Sequence, residues 1–211
     1  MKVTKAQAQA NRAHIVETAA ALFRERGYDG VGVADLMAAA GFTHGGFYKH
    51  FGSKADLMAE SAACGVAQTV AMTAGAERPD VVRAYVSREH RDGRANGCTM
   101  AALGADAARQ PEAVRCAFEA GIENLLAALS REGTVSDGAD SRQTRSRALD
   151  MLAHAVGAIV LSRACPDDSP LADEILAVCR DAILMSLNPP ASPSTRTQPP
   201  GRKHGARRRS R

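Results

Sequence analysis

Two short apolar runs, VADLMAAA and HGGFYKHF, are separated by only Gly41, Phe42 and Thr43. Gly41 occupies the position of a left-handed C-cap that stops the first run. Thr43 stands at the N-cap of the second. Two short helices, Val33 to Ala40 and His44 to Phe51, joined by a tight glycine-containing turn make a helix-turn-helix. Upstream, Gln9 to Arg26 carries Ile15, Ala19, Leu22, Phe23 and Arg26 at the spacing of one helical face and ends at Gly27. Downstream, Ser53 can cap a long helix running from Lys54 towards Ala74.

On a wheel of about 100° per residue, Phe47 and Phe51 fall together and point into the core that Leu22 and Phe23 close. The opposite face centres on Lys49, with Gly45 and Gly46 beside it and Tyr48 and His50 on the flanks. A helical glycine costs about 1 kcal/mol relative to alanine, so two adjacent ones weaken a short helix appreciably. Core packing does not explain them on the outward face. A partner that comes close to the backbone does, and a nucleic-acid groove is such a partner.

Charge is uneven along the chain. Residues 1–54 sum to +3, residues 55–187 to −6 and residues 188–211 to +7. A basic front and tail around an acidic middle suggest that only the ends meet a polyanion. The tail is rich in Pro, Ser and Arg and nearly devoid of apolar side chains, so it is expected to be disordered. Abundant alanine, with few aromatic or β-branched residues and no tryptophan, favours an all-α fold. No apolar run approaches a bilayer span and no signal peptide is evident, so a cytoplasmic protein without a membrane partner is expected. The five cysteines are scattered and never form a CxxC pair, which argues against a disulfide framework and a structural zinc site.

Residues 12–60, including ALFRERGYDGVGVADLMAAAGFTHGGFYKHFGSKADLMAE, resemble the DNA-binding domain of the TetR/AcrR family of bacterial transcriptional regulators. The elements F-x-x-x-G-Y, A-G-x-(S/T)-x-G-x-x-Y-x-H-F and S-K-x-x-L occur in the family's order and spacing. The resemblance implies a three-helix DNA-binding domain over residues 1–54, with an N-terminal arm at 1–8. It also implies a larger helical domain over 55–187 that binds a small effector and dimerises, about nine helices in all. Thr43, Tyr48 and Lys54 then correspond to phosphate contacts, and His44, Gly45, Gly46 and Lys49 face bases or the adjacent backbone. With no side chains at 45 and 46, specificity is expected to lean on His44, Lys49 and DNA shape. Gly32 departs from the family, which has Ser or Thr there. Its phosphate contact is either missing or supplied by the backbone N–H.

In the second region, helices are expected at 80–88, from Cys98 to Pro111, over 111–132, and over Thr144 to Arg163 and Leu171 to Leu187, with HRDGRANG as a glycine-rich loop. By the resemblance, the last two helices pair across a homodimer. Leu149, Leu152, Val156, Gly157, Ile159 and Val160 are interface candidates on one, and Ile175, Val178, Cys179 and Ile183 on the other. The same stripes also suit a monomer core. Candidates for an effector pocket are Met72, Tyr85, His90, Cys98, Asp106 and Phe118. Cys98, at or near a helix N-terminus, reads either as a reactive thiol sensing electrophiles or oxidants or as a small buried hydrophobe. Cys116 and Cys179 read as core.

The main expectation is a DNA-binding regulator on a palindromic, double-stranded operator, released by an effector of unknown identity and acting as a repressor. A thiol sensor on the same scaffold is the alternative. A helical enzyme is disfavoured: no metal-ligand spacing, phosphate-cradling loop, nucleophile elbow or carboxylate pair is present. No metal or cofactor is expected.

Overall fold

The computed structural model describes residues 4–131 and 141–187, and all regular structure among them is helical. The basic tail, the 132–140 linker and the first three residues of the expected arm lie outside the described residues. The chain runs through α1 (Lys5–Arg26), α2 (Val33–Ala39), α3 (His44–Lys49), α4 (Lys54–Thr73) and α5 (Arg78–Tyr85). It continues through α6 (Arg88–Asp92), α7 (Thr99–Ala107), α8 (Glu112–Arg131), α9 (Ser141–Arg163) and α10 (Pro170–Leu187). Among the described residues there are thus ten helices, besides a single 3₁₀ turn at Arg94–Asn96, against about nine expected.

Local chemistry sets most of the boundaries. Thr4 caps α1 by accepting the Gln7 N–H, so α1 already includes residues 5–8 of the expected arm. Gly27 (φ 76°) and Gly41 (φ 79°) end α1 and α2 in the left-handed region that side-chain-bearing residues rarely adopt. Ser53 Oγ accepts the Asp56 N–H at 3.1 Å and caps α4. The helix expected over 80–88 is broken in two. Ser87 leaves helical geometry and its Oγ accepts the His90 N–H at 3.1 Å, starting the separate α6. HRDGRANG is thus partly helical: His90 to Asp92 belong to α6, and Arg94–Asn96 form one turn of 3₁₀-helix.

A single apolar core runs through both regions. Ile15, Ala19, Phe23, Val31, Leu36, Met37, Phe47 and Phe51 fill the N-terminal end, and Leu57, Met58, Ala62 and Val66 of α4 carry it towards α7, α8 and α9. Tyr28 meets Phe23 edge-on, with ring centroids 5.0 Å apart. Two buried arginines brace the turns. Arg91 (α6) donates to the carbonyls of Ser162 and Cys165 at the end of α9. Arg24 (α1) donates to the carbonyl of Ala95.

Ile159 and Ile183, expected at a dimer interface, are buried in this core. They sit on the inner sides of α9 and α10, which pack on one another, so they are unavailable to a partner. Leu152, Val156 and Cys179 are half-buried and pack against the same core. Cys116, expected in the core, is exposed on α8. Its helix buries Val114, Phe118, Leu125 and Leu126 instead, and position 116 falls off that stripe.

Candidate functional site

The helix-turn-helix is assembled around α3, which departs from the expected geometry. It is wound as a 3₁₀-helix and stops at Lys49, two residues before the expected end at Phe51. Gly46 N–H bonds the Thr43 carbonyl at 2.9 Å, and His50 N–H bonds the Phe47 carbonyl at 2.9 Å. Short 3₁₀ pieces are common where α propensity is low, and the two glycines lower it here. Phe47 and Phe51 are buried, with ring centroids 5.5 Å apart. Burying two phenylalanines is worth about 1.5–3 kcal/mol each, which outweighs the glycine cost of about 1 kcal/mol each. The helix is therefore held by its inner face alone.

Arg12, which sequence reasoning did not single out, locks this face from α1. Its guanidinium forms a two-pronged ion pair with Glu60 of α4 and donates through Nε to the His50 carbonyl at 3.2 Å. It also lies 4.7 Å over the Phe51 ring. The only sequence signal for it is its place one turn before Ile15 on α1.

The outer face is open. Thr43, His44, Gly45, Tyr48 and Lys49 are exposed, Tyr48 to 71% of its surface. Thr43 occupies the N-cap position but makes no side-chain cap bond, which leaves its hydroxyl outward. A Cβ on Gly45 would meet no atom within 4 Å, and one on Gly46 would be in ordinary contact with Met37 Cε at 3.6 Å. Neither glycine has a positive φ among the described residues. So the fold itself requires neither.

Two further positions differ from simple expectation. Lys54 Nζ donates to the Tyr28 carbonyl at 2.6 Å and is half-buried, bracing the loop between α1 and α2. Any phosphate it binds shares that ammonium. At Gly32, the N-cap of α2, the backbone N–H is taken by Asp35 Oδ2 at 3.3 Å. The free backbone donor considered for this position is thus engaged internally.

The effector-pocket candidates do not form one group. Met72, Tyr85, His90 and Cys98 line a cavity of about 610 Å³ between α4, α5, α6 and the segment leading to α7. Asp106 lies elsewhere, beside Gly27 and ion-paired to Arg109 at 2.9 Å. Phe118 borders a separate apolar groove between α7, α8 and α9. A short sequence distance between helices does not say which sides face each other, and α7 turns Asp106 away from Cys98.

Within the cavity, His90 is fully engaged. Its Nε2 accepts the Cys98 backbone N–H at 2.9 Å, so Nδ1 carries the proton and donates to the Tyr85 carbonyl at 2.7 Å. Burial holds the His90 pKa below its usual value, aided by the nearby Arg163 cation and opposed by the Tyr85 carbonyl. The Tyr85 hydroxyl is buried and makes no hydrogen bond of normal geometry, and burial pushes its pKa well up. Cys98 is only 3% exposed.

The same segment touches the N-terminal helix-turn-helix region. Arg24 is 7% exposed and donates Nε to the Ala95 carbonyl at 2.7 Å. Thr99 and Arg24 both crowd Gly65 of α4, where a Cβ would lie 2.2 Å from Thr99 Oγ1 and 2.6 Å from Arg24 Nη1.

On the far side, α9 and α10 expose an apolar surface. Leu149, Val160 and Val178, named above as interface candidates, are among its exposed residues. Leu161, Leu171 and Met185 were not anticipated, although Leu171, Val178 and Met185 recur every seven residues on α10. A Cβ on Gly157 would meet nothing within 4 Å, and Ile175 is half-buried.

Residues 15–60 match the model of the bacterial regulatory proteins, tetR family. Over 57 residues the chain is 40% identical to the HTH-type transcriptional regulator AcrR of Shigella flexneri, 27% of this chain and 26% of that protein. Over 43 residues it is 51% identical to the HTH-type transcriptional repressor DhaR of Mycobacterium sp. (strain GP1), 20% of this chain and 22% of that protein. These matches span about a quarter of the length of the curated relatives. Whole-chain similarity is in fold. The reduced form of NemR from E. coli superposes with a TM-score of 0.60 at 20% identity, over 82% of this chain and 96% of that one. A TetR-family transcriptional regulator from Cytophaga hutchinsonii gives 0.63 at 20% identity, over 87% and 97%.

Proposed function

We propose that this chain, whose N-terminal helices are those of the tetR family of bacterial regulatory proteins, is a sequence-specific DNA-binding repressor that acts as a homodimer and is released by a small molecule. One observation carries the reading: α3 is anchored by Phe47 and Phe51 on one side and offers two glycines with no internal use on the other. In the proposed complex Thr43 and Tyr48 hold phosphates, His44 and Lys49 reach base edges or phosphates, and the bare backbone at Gly45 and Gly46 lets α3 sit deep in the major groove. Lys54 adds a phosphate contact while bracing the Tyr28 loop.

The exposed apolar surface of α9 and α10 supports the homodimer, because a helix-turn-helix pair reads two half-sites related by its own two-fold axis. The name of the DhaR relative favours repression over activation. The cavity lined by Met72, Tyr85, His90 and Cys98 is of a size suited to a drug-like effector. Its occupancy reaches the DNA-binding end through Arg24, which is bonded to the cavity's own wall segment at Ala95. Asp106 and Phe118 are not carried into this site.

Selection of binding duplexes from a random pool, followed by salt-titrated binding of the winners, tests the reading. Enrichment of a two-fold symmetric motif, weakened by Lys49→Ala and Tyr48→Ala, is the expected result. Failure to enrich any motif overturns it.

A further inference from the structure

The cavity between α4, α5 and α6 holds more chemical information than its size. Its lining includes the carboxylates of Asp80 and Glu89 and no Lys or Arg. Asp80 is already paired with Arg83 at 2.8 Å, whereas Glu89 makes no such pair among the described residues and is exposed. The imidazole of His90 supplies no cation, because both nitrogens are committed and one of them accepts the Cys98 N–H.

At the inner end stands Tyr85. Its ring lies 4.4 Å, centroid to centroid, from that of His90. Its hydroxyl is buried against the Cys98 thiol, a weak partner, and makes no hydrogen bond of normal geometry. A buried donor left unmade costs about 1–3 kcal/mol, so an acceptor brought by a ligand is rewarded there. At the outer end Met72 leaves 70% of its surface in water, an apolar lip that a bound molecule would cover.

We infer that this cavity takes an uncharged or cationic, largely apolar organic molecule carrying a hydrogen-bond acceptor for the Tyr85 hydroxyl, and that Glu89 rejects anionic analogues. Selectivity comes from the unpaired like charge as much as from contact, since an anion beside Glu89 would lose water without a counter-ion in the lining, the Arg163 guanidinium behind Gly97 being held by the His90 and Arg91 carbonyls. The inference rests on the reading of this cavity as the effector site.

Three fluorescent probes of one tricyclic frame test it on the full chain without DNA at low ionic strength: neutral acridone, cationic 10-methylacridinium and anionic anthracene-9-carboxylate. The expected result is binding of the first two, with the carboxylate at least about tenfold weaker, a gap that Glu89→Gln narrows. Tyr85→Phe should weaken acridone severalfold, through loss of one neutral hydrogen bond. The same variant should leave 10-methylacridinium, which has no acceptor, unchanged, so that this probe also reports an intact cavity. Equal binding of all three probes, no binding of any, or equal effects of Tyr85→Phe on acridone and 10-methylacridinium overturn the inference. Duplex selection is run separately, so failure to bind DNA sinks the regulator reading and leaves the probe result standing, and the reverse holds as well.

Discussion

Arg24 of α1 donates its Nε to the backbone carbonyl of Ala95, 71 residues later in the chain, at 2.7 Å. The guanidinium is buried, so this bond joins the helix behind α3 to the segment whose Gly93 and Asn96 line the cavity. Arg24→Ala leaves the Ala95 carbonyl without its partner and opens space beside Gly65, costing about 1–3 kcal/mol of stability. The variant should still bind DNA, with acridone losing most of its ability to displace it. Competition binding with and without acridone checks this, and undiminished displacement argues against Arg24 as the link.

Gly65 is where α4 lets Arg24 and Thr99 approach. Gly65→Ala places a methyl group 2.2 Å from Thr99 Oγ1 and 2.6 Å from Arg24 Nη1, so one of them must move. Overpacking of this kind costs about 1–3 kcal/mol. Thermal unfolding should show a clear drop in Tm, in contrast to Gly104→Ala on α7, where a Cβ meets nothing within 4 Å. Equal melting temperatures for the two variants would contradict the packing described.

His90 provides a pH test. Burial holds its folded pKa below the ordinary value of about 6.5, so the unfolded chain binds the proton more readily. Stability contributed by neutral His90 is complete well above pH 6.5. It declines as pH falls through that value towards the lower folded pKa, where protonation also removes the acceptor for the Cys98 N–H. Denaturant unfolding at pH 7.5 and 5.5 should show a loss on acidification that is smaller in His90→Gln. Parallel losses in the two proteins would exclude His90 as the source.

The α9–α10 surface makes a prediction about assembly. Val178→Asp places a charge on a residue that is 62% exposed in the single chain, so the fold should tolerate it. A dimer seam would not. Sedimentation should find the wild type dimeric and the variant monomeric, with weakened binding to a two-half-site duplex. A dimeric Val178→Asp would move the interface elsewhere.

Much of the N-terminal region was legible because it depends on local rules. Gly27 and Gly41 at positive φ, the Ser53 cap and the Phe47–Phe51 pair follow from backbone sterics and a single helical face. The winding of α3 was not legible, since a wheel drawn at one angle cannot reveal a switch to 3₁₀ geometry. Nor were the arginine anchors, buried at Arg24 and Arg91 and half-exposed at Arg12. Arg12, Arg24 and Arg91 read as surface residues in sequence, and only tertiary contact reveals what their guanidinium groups hold. The effector group split at Asp106 and Phe118 because spacing along the chain does not say which sides of neighbouring helices face each other, and Ile159 and Ile183 of the dimer group proved to be buried in the single chain. An apolar stripe says that a face is covered without saying by what.

The glycines at 45 and 46 give the sharpest test of DNA recognition. Nothing inside the fold prevents alanine at Gly45, where an added Cβ meets no atom within 4 Å, and at Gly46 the contact with Met37 is ordinary. Both single variants should fold at least as stably as the wild type, by up to about 1 kcal/mol from better helix propensity. Their affinity for the selected duplex should fall at least about tenfold, because the new methyl groups hold α3 off the groove. Paired measurement of unfolding free energy and DNA affinity on Gly45→Ala and Gly46→Ala reads both quantities. Stability kept with affinity lost is the predicted result, and wild-type affinity in both variants would contradict the assignment of α3 as the element that enters the groove.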